Sequence, residues 1–161
     1  LAQTRASLAL VGLVLGAAPR LGDMRARQPQ LMDGLIDPRF FGAMPDRRQL
    51  SERLAATLQD ANSYEEFLDR LRLFGQESLF LIGTRILSGT VSASQAGVAF
   101  ADVAEGIVDT VHGLVTEQFA TQYGRIQDQE TAILAMGRLG SREMTASSDL
   151  DLILLYDSDP G

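Results

Sequence analysis

Two aspartates near the C-terminal end of the chain have a spacing suited to metal binding. Asp149 and Asp151 flank a single leucine at the start of the apolar run 149–156, which is predicted to be a β-strand. On a strand, residues two apart point to the same side, with Cα atoms about 6.6 Å apart. Two such carboxylates can converge on Mg²⁺, which prefers oxygen ligands and shares its shell with substrate phosphates. Leu150 and Leu152 are then expected to face the opposite way, into a core.

A glycine turn upstream of these aspartates offers a place for a phosphate. The apolar run 131–136 is predicted to be a strand and ends at Gly137, where the missing side chain lets a phosphate approach the backbone. Arg138 adds a guanidinium fork that can hold two phosphate oxygens. Residues 139–145 are predicted to form a short helix whose first N–H groups face the same anion. A solvated acidic turn would explain the glycine turn alone or the pair of aspartates alone. The order of strand, glycine turn and strand with the aspartates favours a binding site.

Other polar residues of this stretch have simpler explanations. Ser147 and Ser148 can touch a phosphate or cap the turn before the first aspartate. Glu143 is better explained as a surface residue than as an acid-base group. His112, the only histidine, is expected to be structural.

The composition fits a globular protein and limits its partners. Of the 161 residues, 45% are apolar and 22% are charged, which does not suggest disorder. The net charge of −7 argues against broad nucleic-acid binding, which needs a basic face. The absence of cysteine excludes disulfides and makes the cytoplasm the expected compartment. The apolar run 8–18 has the size of a signal-peptide core but is too short to span a bilayer, so a buried helix is preferred and no membrane contact is expected.

The residues before the glycine turn are predicted to be mostly helical. Capping-box patterns at Ser63 and Ser92 begin two long helices, and Gly124 is expected to end the second. Phe40 and Phe41, in the turn-rich connector 36–45, are expected to fill a core. The predicted helices cover residues 2–15, 46–60 (with Leu50, Leu54 and Leu58 at helical spacing), 63–89 and 92–122, the last with Val103, Ile107, Val111, Leu114, Val115 and Phe119 on one face.

The predicted fold is therefore a mostly α-helical bundle followed by a truncated α/β element. Residues 1–124 form the helical linker or scaffold, and residues 125–161 form the α/β element of short strand, glycine turn with short helix, and strand. The chain begins with leucine and stops just after a strand-like run, so we expect a fragment of a longer protein.

The site residues resemble the signature of the polymerase-β nucleotidyltransferase superfamily. That signature, Gly-Ser, a gap and Asp-hydrophobic-Asp/Glu, is similar to Gly137-Arg138, ten intervening residues (139–148) and Asp149-Leu150-Asp151. More narrowly, residues 136–157 (MGRLGSREMTASSDLDLILLYD) resemble the C-terminal, AMP-adding motif of the glutamine synthetase adenylyltransferase/adenylyl-removing family. GAAPRL (16–21), LIDPRFF (35–41) and FGQESLFLIGTRIL (74–87) resemble its central region, so the likeness covers most of the chain.

This resemblance implies AMP transfer from ATP to a tyrosine of glutamine synthetase. It implies that Asp149 and Asp151 hold Mg²⁺ and act in catalysis, and that residues 125–161 begin a nucleotidyltransferase domain. It also implies the PII signal protein and glutamine as regulators. The ATP-binding residues that it implies are Gly137, Arg138, Gly140, Ser141 and Ser148.

The chain departs from the family pattern in two ways. Arg138 stands where lysine is expected in the family, which changes the geometry of phosphate contact. The third metal carboxylate of the superfamily lies on a later strand, and Asp157 and Asp159 are interpreted as loop residues, so the chain alone is expected to be inactive. Two alternatives remain open: the deadenylylating, phosphorolytic half of the same enzyme, and a helical regulatory or interaction module.

Overall fold

The computed structural model describes residues 44–125 and 130–157. Within these ranges, three long helices are followed by a small α/β element, which confirms the predicted fold class. In chain order the elements are α1 (Arg47–Leu58), α2 (Tyr64–Leu87), α3 (Ala93–Tyr123), β1 (Glu130–Ala135), α4 (Gly137–Gly140) and β2 (Leu152–Asp157).

The two predicted capping boxes differ in completeness. At α3 the Ser92 side chain accepts from the Gln95 N–H, and the Gln95 side chain accepts from the Ser92 N–H. At α2 the Ser63 side chain accepts from the Glu66 N–H. The Glu66 carboxylate, however, accepts from the Asn62 N–H at 2.9 Å, so this box is only half formed. Both helices nevertheless begin where the sequence predicts, because a serine satisfies a backbone donor of the first turn.

The remaining boundaries of the long helices follow local signals as well. Asp46 and Gln49 form a complete capping box at the start of α1. Gly89 and Gly124 follow the ends of α2 and α3 with φ values of +70° and +87°, a region that glycine enters without a steric penalty. The predicted stop at Gly124 is confirmed.

One hydrophobic core holds the helices together and reaches into the α/β element. Leu50 and Leu54 of α1 are buried, and Leu58 packs against the core, so the predicted leucine stripe is confirmed. The buried members of the cluster are Leu50, Leu54, Leu71, Phe74, Ile82, Val91, Ala96, Ala99, Phe100, Ala101, Val103, Leu139 and Met144.

Only part of the predicted apolar face of α3 is covered. Val103 is buried, and Ile107 and Val111 pack against the core. Phe119, on the same predicted face, is 60% exposed, and its ring centroid lies 5.4 Å from that of Tyr123. Among the described residues nothing covers this end of α3.

Strands β1 and β2 form a two-stranded antiparallel sheet. The register pairs Glu130 with Asp157 at one end and Ala135 with Leu152 at the other. Strand β2 begins three residues later than predicted, because residues 145–148 form a turn closed by a 3.2 Å hydrogen bond from the Ser148 N–H to the Thr145 carbonyl oxygen.

The predicted burial of β2 is wrong within the described part of the chain. Every residue of β2 is exposed, and Leu150 and Leu152 are 46% and 40% exposed rather than facing a core. Two strands need a packed layer to bury a face, and no described element supplies one over β2.

Several predictions lie outside the described residues. These are the helix over 2–15, the packing of Phe40 and Phe41 in a core, and the loop assignment of Asp159. The loop assignment of Asp157 is wrong, because this residue pairs with Glu130 as the last residue of β2. The division of the chain at residue 124 stays a prediction. Across residues 44–125 and 130–157, no helix combines the length and apolar character needed to cross a bilayer.

Candidate functional site

The loop between β1 and β2 carries all the predicted site residues. This site loop (residues 136–151) begins with the one-turn helix α4, Gly137–Gly140. Hydrogen bonds of 3.0 Å from the Gly140 N–H to Met136 and from the Ser141 N–H to Gly137 close the turn. The helix predicted over 139–145 therefore starts two residues earlier and is only one turn long.

A left-handed residue, Arg142, explains why α4 stops. Its φ is +59°. The Arg142 N–H donates to the Leu139 carbonyl at 3.1 Å, and the Glu143 N–H donates to the Arg138 carbonyl at 2.9 Å; together these bonds form a Schellman motif. Glycine is usual at this position, since a Cβ there costs about 1–2 kcal/mol. Gly89 occupies the equivalent position at the end of α2.

The glycine bend and the second aspartate lie in direct contact. Gly137 has a φ of +53°, and a Cβ built on it would lie 2.6 Å from Oδ2 of Asp151. The Met136 N–H donates to the Asp151 carbonyl oxygen at 2.8 Å, which extends the strand pairing by one step. The carboxylate therefore occupies the space that a side chain at residue 137 would need, and the bend and the acid form one unit.

Both predicted metal ligands are open to solvent. Asp149 and Asp151 are exposed, and neither carboxylate has an ion pair or hydrogen bond with a described residue. Since each oxygen keeps its lone pairs, both carboxylates are available to an external cation. Within residues 44–125 and 130–157, no three His, Cys, Asp or Glu side chains group into a metal site.

The two arginines of the site loop have different surroundings. Arg138 is exposed, and its guanidinium makes no hydrogen bond or ion pair with the described part of the chain. Arg142 pairs with Asp102 and Glu105 of α3 at 2.5 and 2.7 Å. Arg138 therefore has its donors available for an anion, whereas both terminal nitrogens of Arg142 already pair with carboxylates of α3.

The hydroxyls of the site loop are used mainly within the loop. The Ser148 side chain accepts from the Thr145 N–H at 2.9 Å and lies 3.0 Å from the Thr145 hydroxyl, so it caps the turn, one of its two predicted roles. Ser141 is exposed, with contacts of 3.5 Å to the Arg138 carbonyl and 3.4 Å to the Glu143 carboxylate. These long contacts leave the Ser141 hydroxyl able to turn toward a ligand.

Two apolar side chains that the sequence did not single out anchor the site loop. Leu139 is only 2% exposed and Met144 is 7% exposed, and both belong to the helical core. Gly140 lets α4 lie close to β1, since a Cβ on it would be 2.6 Å from the Ala135 carbonyl oxygen. The sequence signal that could have identified Leu139 and Met144 as anchors is the presence of one apolar residue on each side of the turn at Arg142.

A contact between the single histidine and β1 adds a second link to the helices. Nε2 of His112 on α3 lies 3.0 Å from the Thr131 hydroxyl. This contact fits the structural role predicted for His112 and lies at the opposite end of β1 from the turn into the site loop.

Comparisons with known proteins match nearly the whole chain. The profile of the family described as glutamate-ammonia ligase adenylyltransferase matches residues 8–161. A protein of Bradyrhizobium sp. strain BTAi1 is 85% identical over 159 residues, and one of Rhodopseudomonas palustris strain HaA2 is 82% identical over 159 residues. One of Mesorhizobium japonicum is 48% identical over 154 residues.

These relatives share one name and are much longer than this chain. Each is called a bifunctional glutamine synthetase adenylyltransferase/adenylyl-removing enzyme. The matches cover 99%, 99% and 96% of this chain but only 16% of each relative. With a profile match that spans most of its residues, the chain belongs to the glutamate-ammonia ligase adenylyltransferase family.

Proposed function

We propose that this chain is part of a longer enzyme that transfers AMP from ATP to a tyrosine of glutamine synthetase. The observation that carries the proposal is the contact of the Asp151 carboxylate with the Gly137 bend, because the proposed metal ligand then lies beside the proposed phosphate-binding turn. The names of the relatives support the choice of acceptor protein. Family membership supports ATP as the donor.

In this proposal the start of the site loop binds the triphosphate of ATP. Gly137 and Gly140 contribute by shape, because Gly137 lets the bend lie against Asp151 and Gly140 lets α4 lie close to β1. The Arg138 guanidinium donates to phosphate oxygens. The Ser141 hydroxyl is a further donor at the end of α4. Ser148 contributes by capping the turn that leads into the aspartates, so it shapes the binding site from within the loop.

Asp149 and Asp151 are proposed to hold Mg²⁺. Two exposed carboxylates without a described cationic partner are the oxygen donors that this ion prefers. When bound, Mg²⁺ offsets the negative charge of the phosphates. Since the described residues offer no third carboxylate beside them, the other ligands are expected from phosphate, water and parts of the protein outside this chain.

The overall reaction forms a bond from the tyrosyl oxygen to the α-phosphorus of ATP. The bond from that phosphorus to the oxygen bridging to the β-phosphate breaks, and pyrophosphate leaves. The contribution of this chain is to position the nucleotide and to complement its charge. The tyrosyl hydroxyl loses its proton to water, and we propose that the 161-residue chain alone transfers no AMP.

The helices are proposed to act as the scaffold of the enzyme. Regulation of the full-length enzyme by the PII signal protein and by glutamine, and its location in the cytoplasm, are part of the same proposal. They rest on the family resemblance. A helical interaction module is compatible with this role, because the core that buries Leu139 and Met144 also supports the site loop.

Substitution of the two aspartates in the full-length protein tests the proposal. Asp149→Asn and Asp151→Asn should each abolish transfer of labelled AMP from ATP to glutamine synthetase. Asp157→Asn is the control, because this exposed carboxylate ends β2, about 20 Å along the strand from Asp151. Retained transfer in Asp151→Asn would exclude the proposed site.

The same variants distinguish the AMP-adding reaction from the alternative reaction, removal of AMP by phosphate. In the deadenylylating half, phosphate attacks the phosphorus of the tyrosine-bound AMP, the bond from that phosphorus to the tyrosyl oxygen breaks, and the AMP group leaves as ADP. If this site adds AMP, both Asn variants should keep phosphate-dependent AMP removal while they lose AMP transfer. The opposite pattern would assign the site to the removing reaction.

A further inference from the structure

The residue type at position 142 is explained by its side chain and not by its backbone. Arg142 has a left-handed φ of +59°, a conformation that favours glycine. In the equivalent motif after α2, glycine does occupy this position, as Gly89. Because an arginine is locally unfavourable there, a compensating contact is expected elsewhere in the fold.

That contact is made with α3. Nη2 of Arg142 lies 2.5 Å from Oδ1 of Asp102, and Nη1 lies 2.7 Å from Oε1 of Glu105. The two carboxylate side chains are only 15% and 21% exposed, so solvent screens these pairs less than it screens surface pairs. The hydrogen bond to Asp102 is the main cause that raises the pKa of the Arg142 guanidinium above its ordinary value.

The backbone next to Arg142 lies against the same helix. A Cβ on Gly97 of α3 would lie 3.3 Å from the Arg142 carbonyl oxygen and 3.4 Å from that of Met144, so the site loop and α3 touch directly. Glu105 also pairs with Arg47 of α1 at 3.3 Å. The helices therefore hold the site loop through apolar, backbone and charged contacts at one place.

We propose that Arg142 is a positioning residue, whose ion pairs with α3 hold the site loop so that Asp151 stays against Gly137. This inference rests on the function proposed above. Arg142 is not assigned a contact with ATP, because both ends of its guanidinium are occupied by carboxylates of α3. Arg138, which has no partner among the described residues, is the arginine assigned to phosphate.

Variants of the full-length protein test this role from both sides of the contact. Arg142→Gly keeps the left-handed backbone and removes the ion pairs, and Arg142→Lys keeps the charge. Asp102→Asn weakens the same contact from the helix and leaves the loop sequence intact. Arg72→Ala, which breaks the exposed pair of Arg72 with Asp69 on α2, is the matched control. AMP transfer is measured while ATP, MgCl₂ and glutamine synthetase are varied in turn.

The expected result is a loss in catalysis without a loss of acceptor binding. Arg142→Gly should lower kcat about 10- to 100-fold, as loss of a residue that orients a metal ligand does, and should raise the MgCl₂ concentration needed for half-maximal activity. The KM for glutamine synthetase should not change. Asp102→Asn should act in the same direction, Arg142→Lys should recover part of the activity, and Arg72→Ala should match the unaltered protein.

Unchanged kcat and MgCl₂ dependence in Arg142→Gly and Asp102→Asn would overturn the proposal, even if both variants melt at lower temperature. If Arg142→Gly does not fold, Asp102→Asn decides by the same criteria. Asp151→Asn in the same assay separates this inference from the proposed function. If Asp151→Asn still transfers AMP, the proposed function fails; if it is inactive while Arg142→Gly is fully active, only the positioning role fails.

Discussion

Oδ2 of Asp151 lies 2.6 Å from the point where a Cβ of residue 137 would stand. Only glycine at that position lets the carboxylate lie against the bend. Gly137 also has a φ of +53°, so conformation and space independently select glycine there. The distance between the turn and the acid is therefore set by a missing side chain.

Gly137→Ala should displace the Asp151 carboxylate and strain the bend. In the full-length protein we expect AMP transfer to fall about 100-fold, because displacement of a catalytic group by about 1 Å costs that much. Initial rates at saturating ATP and MgCl₂ measure the effect.

Gly89→Ala is the matched control for this substitution. Gly89 has a similar φ of +70°, but a Cβ on it meets no described atom within 4 Å. The Gly89→Ala variant should therefore be destabilised by the backbone strain alone, about 1–2 kcal/mol, and its AMP transfer should be unchanged. Equal losses of activity in the two variants would show that strain alone, and not displacement of the carboxylate, explains the effect.

Gly140→Ala should destabilise the α/β element more than a glycine-to-alanine change in an open helix. Its Cβ would lie 2.6 Å from the Ala135 carbonyl oxygen and 3.2 Å from the carbonyl carbon, and backbone atoms cannot turn aside. Overpacking of this kind costs about 1–3 kcal/mol. Gly113→Ala on α3, with no described atom within 4 Å, should instead stabilise the chain by up to about 1 kcal/mol. Thermal denaturation of the 161-residue chain compares the two, and similar shifts would contradict the close packing of α4 on β1.

Leu139→Ala should cost about 2–5 kcal/mol, because the side chain is 2% exposed within the core. Leu150→Ala, at 46% exposure, should change stability by less than about 0.5 kcal/mol. Urea denaturation of the 161-residue chain measures both. A larger effect of Leu150→Ala would mean that Leu150 has a buried position and that Leu139 is not the anchor.

Glu77→Gln should stabilise the chain at neutral pH and have little effect in acid. Burial raises the pKa of the Glu77 carboxyl above its ordinary value, although Arg53 acts in the opposite direction. With the folded pKa above the unfolded one, the stability contributed by protonated Glu77 is present below the unfolded pKa and is lost as pH rises through the folded pKa. Melting temperatures of both proteins at about pH 4 and pH 7 test the sign. An equal shift at both pH values would exclude titration of Glu77 as the cause.

Local chemistry explains the parts of the fold that the sequence predicts well. Ser63 and Ser92 begin helices because a hydroxyl can accept from an N–H three residues later, and Gly124 ends one because it enters a positive φ. The leucines of α1 fall on one face because of the helical repeat alone. The order of strand, bend and acidic turn is local as well. Each of these signals involves residues within about one helical turn, so no knowledge of the rest of the chain is needed.

Only the tertiary structure decides how the site loop is supported. Leu150 and Leu152 look like core residues from their alternation, whereas Leu139 and Met144 are the ones that the helices bury. Burial depends on which element lies opposite a side chain, and the sequence pattern of one strand does not contain that information.

The ion pairs that Arg142 makes with α3 also depend on residues that are distant in the sequence. Its partner Asp102 lies 40 residues earlier in the chain, so their pairing exists only after α3 and the site loop have packed together. From the sequence alone, Gly137, Arg138 and the two aspartates are recognisable as a candidate site, since their spacing is local. Which arginine is engaged by the helices, and which remains available to a phosphate, depends on contacts between distant segments that form only in the folded chain.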